Sequence, residues 1–259
     1  MRPLVIADAA VVVVVALVLS CFFVSVSGCS RADPASAPAP TSRMAAVAIP
    51  PQLEIPQAHG AVVIDGVLNE PEWQRAPAMA LRPHLDNAVV HQATTAKMLW
   101  TADALYLSFD AVDDDAFSPY QQRDDPLYQG EAYEIFIDAD GDADVYVELQ
   151  SNVFDVHFDS AFAGGARQHM DLSWNLDFTT RTVVAGGRVV QEWRIPIAGL
   201  RDVPAGEPRV SARWKVNLFR LERRRQNAKV VGAEASAWSA PLANDFHRLE
   251  RFGTLIFGP

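Results

Sequence analysis

Cysteine is nearly missing from this chain of 259 residues, which contains only two. Both, Cys21 and Cys29, lie close to the N-terminus. The long segment that follows them therefore has no thiol, which excludes a disulfide framework, a cysteine metal site and a cysteine nucleophile there. An oxidising export compartment would permit disulfide bonds, but this sequence does not use them.

Positive charge is also in short supply. The chain has 22 Lys and Arg residues against 32 Asp and Glu residues, which gives a formal net charge of −10. No basic stripe with interleaved aromatic residues is present, so a nucleic-acid partner is excluded. The local basic run at 220–225, RLERRR, is interpreted as a charged strand end and loop.

The motifs of common hydrolases are absent. The sequence has neither a Gly-x-Ser-x-Gly nucleophile elbow nor a His-Glu-x-x-His zinc helix. Glycoside hydrolysis needs two carboxylates placed across a cleft, and Glu134 and Glu148 are a pair to consider. Because residues on an open sheet face are seldom desolvated enough for acid catalysis, we predict a protein that is not an enzyme.

The N-terminus contains the one long apolar run, at 5–28 (VIADAAVVVVVALVLSCFFVSVSG), whose core at 9–19 is too short to suggest a multi-span protein. It ends in Val26-Ser27-Gly28-Cys29, which resembles a bacterial lipobox. The resemblance implies a signal peptide at 1–28 and lipidation of Cys29. The protein would then be exported and lipid-anchored to the bacterial cell envelope, at the outer membrane or the periplasmic or cell-surface face. An uncleaved anchor helix is the alternative.

Composition predicts two further segments. Residues 29–56 are rich in Ala, Pro and Ser and are interpreted as a tether. Residues 57–259 are long enough to form one domain with a substantial core.

Short strand patterns dominate that domain. Strands are predicted at 61–64, 94–101, 105–112, 131–138, 144–150, 153–159, 181–185, 188–195, 211–221 and 254–257. A short helix is predicted just after Asn69, with Asn69 as its N-cap. Many short strands with little helix predict an all-β fold, an antiparallel β-sandwich of jelly-roll type with one or two short helices.

The hairpin at 131–150 has two different faces. Alternation places aliphatic side chains on one face and carboxylate, amide and aromatic side chains on the other. The mixed face is typical of the solvated side of an antiparallel sheet. It is equally typical of a sugar-binding surface, where hydrogen-bonding groups lie beside aromatic rings.

Several motifs, in order, resemble family 9 carbohydrate-binding modules. They are the segment 64–73 (IDGVLNEPEW), the segment 105–107 (LYL) followed by Asp113-Asp114, the segment 134–138 (EIFID) and Phe252-Gly253 near the C-terminus. The resemblance implies a β-sandwich that binds a poly- or oligosaccharide without transforming it, often at a chain end, in support of polysaccharide breakdown. It also implies structural calcium, for which Asp65, Asp113 and Asp114 are the candidate ligands.

The same resemblance suggests the sugar site. Tyr128 and Phe246 stand where the family has two tryptophans that clamp a sugar, and Glu134 matches the family's strand glutamate. Glu148 stands where the family has an arginine, which changes the charge of the site. Hydrogen bonds are further expected from Gln150 and Asn217. Trp174 and Trp238 are reserve stacking candidates, whereas the other tryptophans are predicted to lie in the core.

Two other functions stay open. Related sandwiches of the DOMON type bind haem in electron transfer, and the candidate ligands here are His157, His169, Met170 and Met98. The remaining alternative is a structural or partner-binding sandwich.

Overall fold

The computed structural model describes residues 49–86 and 88–259. The predicted signal peptide, Cys29 and the tether up to residue 48 lie outside the described residues. The described part is an antiparallel β-sandwich with very little helix, so the predicted fold class is confirmed. No helix within it is long and apolar enough to cross a bilayer.

The elements follow the chain in a simple order. One short helix, α1 (Pro71–Arg75), and two 3-10 turns (Leu127–Gln129 and Leu249–Arg251) accompany the strands. The strands are β1 (Gln52–Ile55), β2 (Met79–Ala80), β3 (Arg82–Pro83), β4 (Thr94–Trp100), β5 (Ala104–Val112), β6 (Ala132–Asp138), β7 (Tyr146–Ser151), β8 (His157–Phe162), β9 (Thr179–Ala185), β10 (Arg188–Pro196), β11 (Arg213–Glu222), β12 (Arg225–Gln226), β13 (Lys229–Val230), β14 (Glu234–Ala237) and β15 (Gly253–Phe257).

Two sheets enclose the main core. The strand order of the larger sheet is β1-β15-β11-β6-β7-β8. Strand β14 also pairs with β11, and β3 pairs with β14. The strand order of the smaller sheet is β2-β4-β5-β10-β9. Aliphatic and aromatic side chains fill the space between them, among them Trp100, Phe109, Ile135, Leu149, Trp193 and Trp214. The aliphatic face of the 131–150 hairpin is thus the inner face of the larger sheet, as alternation requires.

The outer face of the larger sheet is covered rather than solvated. A second cluster of aromatic side chains packs there, formed by Phe136, Tyr146, Phe162, Phe219, Leu249 and Phe252. Every residue of β6 and β7 is consequently buried, including the carboxylates. The prediction of a solvated face is wrong because the segment before β15 folds back over the sheet, a long-range contact that strand periodicity does not report.

The outer face of the smaller sheet is covered by the segment that contains α1. Trp73 of α1 is fully buried there, and its Nε1 donates to Glu192 Oε1 at 2.8 Å. The other oxygen of Glu192 accepts the backbone N–H groups of Asp65 and Gly66. Gly66 has a φ of +85°, and a Cβ there would lie 2.6 Å from Val183 Cγ2, so this turn requires glycine.

Several predicted boundaries need correction. Strand β1 lies inside the predicted tether, so the folded domain begins earlier than residue 57. Residues 61–64 are not a strand. Val62 and Ile64 pack against the cluster that contains Trp73, whereas Val63 is exposed and its backbone N–H donates to Glu70 Oε1. A short apolar run does not distinguish these two outcomes. Asn69 is not the N-cap, which is Glu70.

The strand predicted at 153–159 starts late, at His157. Asn152 Oδ1 accepts the backbone N–H groups of Phe154 and Val156 and so forms a turn instead. Asp155 within this turn has a φ of +57°, which no strand residue adopts.

Candidate functional site

A cavity of about 430 Å³ opens on the outer face of the larger sheet. Four of the residues expected to bind sugar line it: Tyr128, Glu134, Glu148 and Phe246. They meet there although more than 100 residues separate Tyr128 from Phe246 in the chain. The rest of the lining is Phe136, Phe158, Phe162, Arg167, Met170, Leu221, Asn244 and His247.

The floor of the cavity is formed by the polar residues of β6 and β7. Glu134 pairs with Gln150 in the ladder and Phe136 pairs with Glu148, so the two carboxylates are diagonal neighbours on one face. Glu148 accepts hydrogen bonds from Gln150 Nε2 and, at 3.5 Å, from Ser160 Oγ. Within the described chain, neither oxygen of Glu134 has a hydrogen-bond partner, and Gln150 Oε1 also lacks one. The floor thus presents acceptors that a ligand can satisfy.

Burial changes the acidity of both carboxylates. Loss of hydration raises the pKa of Glu148 to about 7, against the hydrogen bond from Gln150, which lowers it. Burial, together with the adjacent Glu148 carboxylate, raises the pKa of Glu134 well above its usual value. The assumption that these groups stay solvated is therefore wrong, because the second aromatic cluster removes them from water.

Aromatic rings form the walls. Tyr128 lies on the 3-10 turn Leu127–Gln129 and is 46% exposed, with its ring edge-on to Phe158 at 5.8 Å between centroids. Phe246 is partly buried and stacks on Phe219 at 4.2 Å with an interplanar angle of 6°. Tyr128 is therefore the more accessible of the two predicted stacking rings, while one face of Phe246 is already covered.

A hydrogen-bonded chain that sequence reasoning missed runs along one wall. The backbone N–H of Arg167 donates to Tyr146 Oη at 2.9 Å, and Tyr146 Oη lies 2.8 Å from His247 Nδ1. Burial lowers the pKa of His247 to about 4, so its ring is neutral. The other ring nitrogen of His247, Nε2, lies 4.0 Å from Glu148 Oε2.

The remaining predicted site residues do not line the cavity. Gln150 is fully buried, and its Nε2 donates to Glu148. Asn217 is fully buried, and its amide bonds the backbone of Ser239 through both Nδ2 and Oδ1, so it holds the covering segment in place and does not line the cavity. Trp174 and Trp238, the reserve stacking candidates, are buried in the main core. The tryptophans predicted to be core residues, Trp73, Trp100, Trp193 and Trp214, are all buried.

The three candidate calcium ligands do not converge. Asp65 accepts the backbone N–H of Val67, and Asp114 accepts Gln92 Nε2. Asp113 instead lies beside Glu131 and Glu222, with one carboxylate oxygen from each within 4.8 Å of the others. Asp65 and Asp114 are therefore not part of the same cluster.

This cluster of Asp113, Glu131 and Glu222 fits a hard cation. Its donors are all oxygens, as calcium prefers, and two of them, Glu131 Oε1 and Glu222 Oε1, are buried without a hydrogen-bond partner in the described chain. Burial raises the pKa of Glu131 to about 7 and that of Glu222 to about 8. Arg220 Nη2 compensates part of the charge, at 2.9 Å from Asp113 and 2.6 Å from Glu222.

The candidate haem ligands are not brought together as a pair. Met98 is fully buried in the main core. His157 Nε2 lies 2.8 Å from Thr180 Oγ1, and its ring stacks on Phe178 at 4.1 Å. Met170 lines the cavity, but His169 is exposed outside its lining. The geometry therefore does not favour haem.

The described chain is thus a two-sheet sandwich with an aromatic and acidic cavity on the outer face of one sheet. The family model "Carbohydrate family 9 binding domain-like" matches residues 64–258, and the chain belongs to that family. The resemblance seen in the sequence is thus confirmed. No curated protein matches the chain.

Solved structures share this fold. A family 9 carbohydrate-binding module from Caldicellulosiruptor kristjanssonii in complex with cellotriose matches with a TM-score of 0.60 and 19% identity, covering 80% of this chain and 93% of that one. A family 9 module of the same organism in complex with glucose matches with a TM-score of 0.57 and 19% identity, over 80% of this chain and 97% of the other. A putative carbohydrate-binding protein from Bacteroides uniformis gives a TM-score of 0.65 at 14% identity, over 80% and 99%.

Proposed function

We propose that this protein binds a poly- or oligosaccharide, without transforming it, in the cavity above β6 and β7. The observation that carries the proposal is the combination of aromatic walls with the buried Glu134 on the floor, whose two carboxylate oxygens have no hydrogen-bond partner in the described chain. Pyranose rings have apolar faces and a rim of hydroxyl donors, so they match such a site. Family membership and the two neighbours with cellotriose and glucose support it.

The residues divide into two roles. Tyr128 and Phe246 offer ring surface for stacking, in addition to the apolar area they bury. Glu134 and Glu148 accept hydroxyl protons, and the neutral ring of His247 lies at the same wall. A volume of about 430 Å³ suits a ligand at the small end of the usual range for pockets, such as one or two terminal sugar units.

The carboxylate pair argues for binding rather than hydrolysis. A glycosidase needs one carboxyl group held neutral and the other held ionised by their different surroundings. Here burial raises the pKa of both Glu134 and Glu148, and neither forms an ion pair with an arginine in the described chain. The two carboxyl groups are diagonal neighbours on one sheet face and do not stand across a cleft, which is the placement that glycoside hydrolysis requires.

The Val26-Ser27-Gly28-Cys29 motif supports a location for this activity at a membrane surface. A diacylglyceryl group on Cys29 would hold the sandwich at a membrane surface, with the Ala- and Pro-rich stretch as spacer. In that position the protein would retain polysaccharide for enzymes that degrade it. Metabolic labelling with a fatty-acid probe tests the anchor, and Cys29→Ala should abolish the label.

Calcium is proposed as a structural ion at Asp113, Glu131 and Glu222. It would neutralise carboxylates that burial leaves uncompensated and so stabilise the fold. Calcium should raise the unfolding temperature of the full chain relative to chelator, and Glu131→Gln should abolish that difference. Glu250→Gln, at an exposed carboxylate outside both acidic clusters with metal-like spacing, is the matched control and should retain it. An unfolding temperature that is the same with calcium and with chelator would contradict the proposal.

Glycan retention tests the function directly. The full chain is screened on a glycan array and by affinity electrophoresis, beside Tyr128→Ala and the control Phe154→Ala, an exposed aromatic residue outside the cavity. Retention by a defined glycan that is lost only in Tyr128→Ala supports the proposal. Release of reducing ends would indicate hydrolysis, and no retention at all would leave the alternative of a structural or partner-binding sandwich.

A further inference from the structure

The floor of the cavity holds two adjacent carboxyl groups, which is more than a neutral sugar needs. Glu134 is 1% exposed, both of its oxygens are unpartnered among the described residues, and Glu148 is buried beside it. Hydroxyl groups bond well to amides or to a single carboxylate. Two adjacent buried carboxylates are costly unless a positive charge joins them.

The nearby arginines form no ion pair with either carboxylate in the described chain, although the charges of Arg223 and Arg167 lower the pKa of Glu134 and Glu148 respectively. Arg167 at the rim bonds Asp245, at 3.1 Å, and Arg223 Nη1 donates to the carbonyl of Glu222. His247 faces Glu148, but burial lowers its pKa to about 4 and leaves it neutral. Without a paired cation, protons balance part of this charge, because burial raises the pKa of both carboxyl groups, and a cationic ligand can replace those protons.

The surroundings favour an organic cation over a metal ion. Aromatic rings wall the cavity, and an ammonium group near ring faces gains cation–π attraction in addition to its bonds with the carboxylates. Two groups of acidic residues in the described chain have the spacing of a metal site, and neither group contains Glu134 or Glu148. Sugar rings with a free amine combine an ammonium group with the stacking surface that these walls fit.

We infer that the ligand is an amino sugar with a free ammonium group, seated between Glu134 and Glu148 while its ring stacks on Tyr128. This inference rests on the proposed carbohydrate function and specifies the sugar. The ammonium donates to the unpartnered oxygens of Glu134 and to Glu148. N-acetylation removes the charge and adds bulk, so it should weaken binding.

Three β-1,4-linked trimers that differ at C2 test the inference on the full chain. They are the trimers of glucosamine, N-acetylglucosamine and glucose, and calorimetry measures their affinities. The glucosamine trimer should bind at least about tenfold more tightly than cellotriose, since one charge-assisted bond is worth roughly that factor. Added salt should weaken the binding of the glucosamine trimer and leave the binding of cellotriose unchanged.

Variants locate the charge. Glu134→Gln and Glu148→Gln keep the size and an acceptor oxygen, and each should bring the ratio of glucosamine-trimer to cellotriose affinity close to one. Glu250→Gln, at an exposed carboxylate outside the cavity, should leave the ratio unchanged.

Proton release gives a second readout. Glu148 has a pKa of about 7 in the free protein, so an ammonium group beside it should drive protons off on binding near neutral pH. Calorimetry in two buffers of different ionisation enthalpy should therefore differ for the glucosamine trimer and agree for cellotriose.

The outcomes separate the inference from the function it rests on. Cellotriose or the acetylated trimer bound as tightly as the glucosamine trimer overturns the ammonium seat and leaves carbohydrate binding intact. Failure of all three trimers also overturns it, and the glycan array then decides the proposed function by itself.

Discussion

Ile55 on the first strand lies beside Phe257 on the last, in parallel register, and both side chains are fully buried. Around this contact β1 adds four backbone pairs to β15 at the edge of the larger sheet. The first strand of the folded domain is thus held in place by the last strand, and the segment before Pro56 contributes to the core.

Truncating Ile55 should therefore destabilise the domain. Ile55→Ala removes buried methyl groups and leaves a cavity, so we expect the free energy of unfolding to fall by about 2–5 kcal/mol in urea titrations. Ile49→Ala is the matched control, because Ile49 is 87% exposed, and it should change stability by less than about 0.5 kcal/mol. Equal stability of the two variants would show that β1 is not docked.

Arg220 holds the acidic cluster of Asp113, Glu131 and Glu222 together. It donates to Asp113 and Glu222 and also to backbone and side-chain oxygens of β4 and β5. Arg220→Met leaves buried carboxylates uncompensated, so unfolding should become easier by about 3–5 kcal/mol. The exposed pair of Arg188 with Asp110 offers the comparison, and Arg188→Met should cost less than about 1 kcal/mol. Similar losses in both variants would rule out a special role for the buried cation.

Glu148 makes stability fall as pH rises. Its pKa in the folded state, about 7, is above the ordinary value of 4.5, so the folded state binds the proton more tightly. The resulting stabilisation is complete below about pH 4.5 and is lost as pH rises through about 7. Glu148→Gln removes this dependence, so the variant should gain on the wild type by up to about 3 kcal/mol between pH 5 and pH 8. Chemical unfolding at both pH values measures the difference, and parallel curves for the two proteins would contradict it.

Tyr128 should contribute to affinity through its ring and not its hydroxyl. Tyr128→Ala is expected to weaken binding of the glycan identified on the array about fivefold, as loss of roughly 1 kcal/mol of stacking implies. Tyr128→Phe keeps the ring and should stay within about twofold of the wild type. If Tyr128→Phe weakens binding as much as Tyr128→Ala, hydrogen bonding rather than stacking is the role of this side chain.

The local sequence was sufficient to predict the strand faces and turns on which much of the site is built. Period-two alternation at 131–150 placed Glu134 and Glu148 on one face and the aliphatic residues on the other, because side chains in a strand alternate between two faces. Pro71 and the turn chemistry of 186–187 likewise marked a helix start and a hairpin.

Residues that act through distant contacts were not predictable in this way. His247 and Arg167 carry no local signal, and they enter the wall only because Tyr146 bonds both. Asn217 shares a strand face with Phe219, but its amide is taken up by Ser239 in the covering segment.

The sequence by itself determined the β-sandwich class, the family, and which side chains of each strand share a face, since these depend on composition, motif order and the period of the strand. The tertiary structure alone decided that the polar face is covered, that Tyr128 and Phe246 border one cavity, and that Glu134 and Glu148 lose their water. Desolvation depends on which distant segment packs over a residue, and no local pattern encodes that contact.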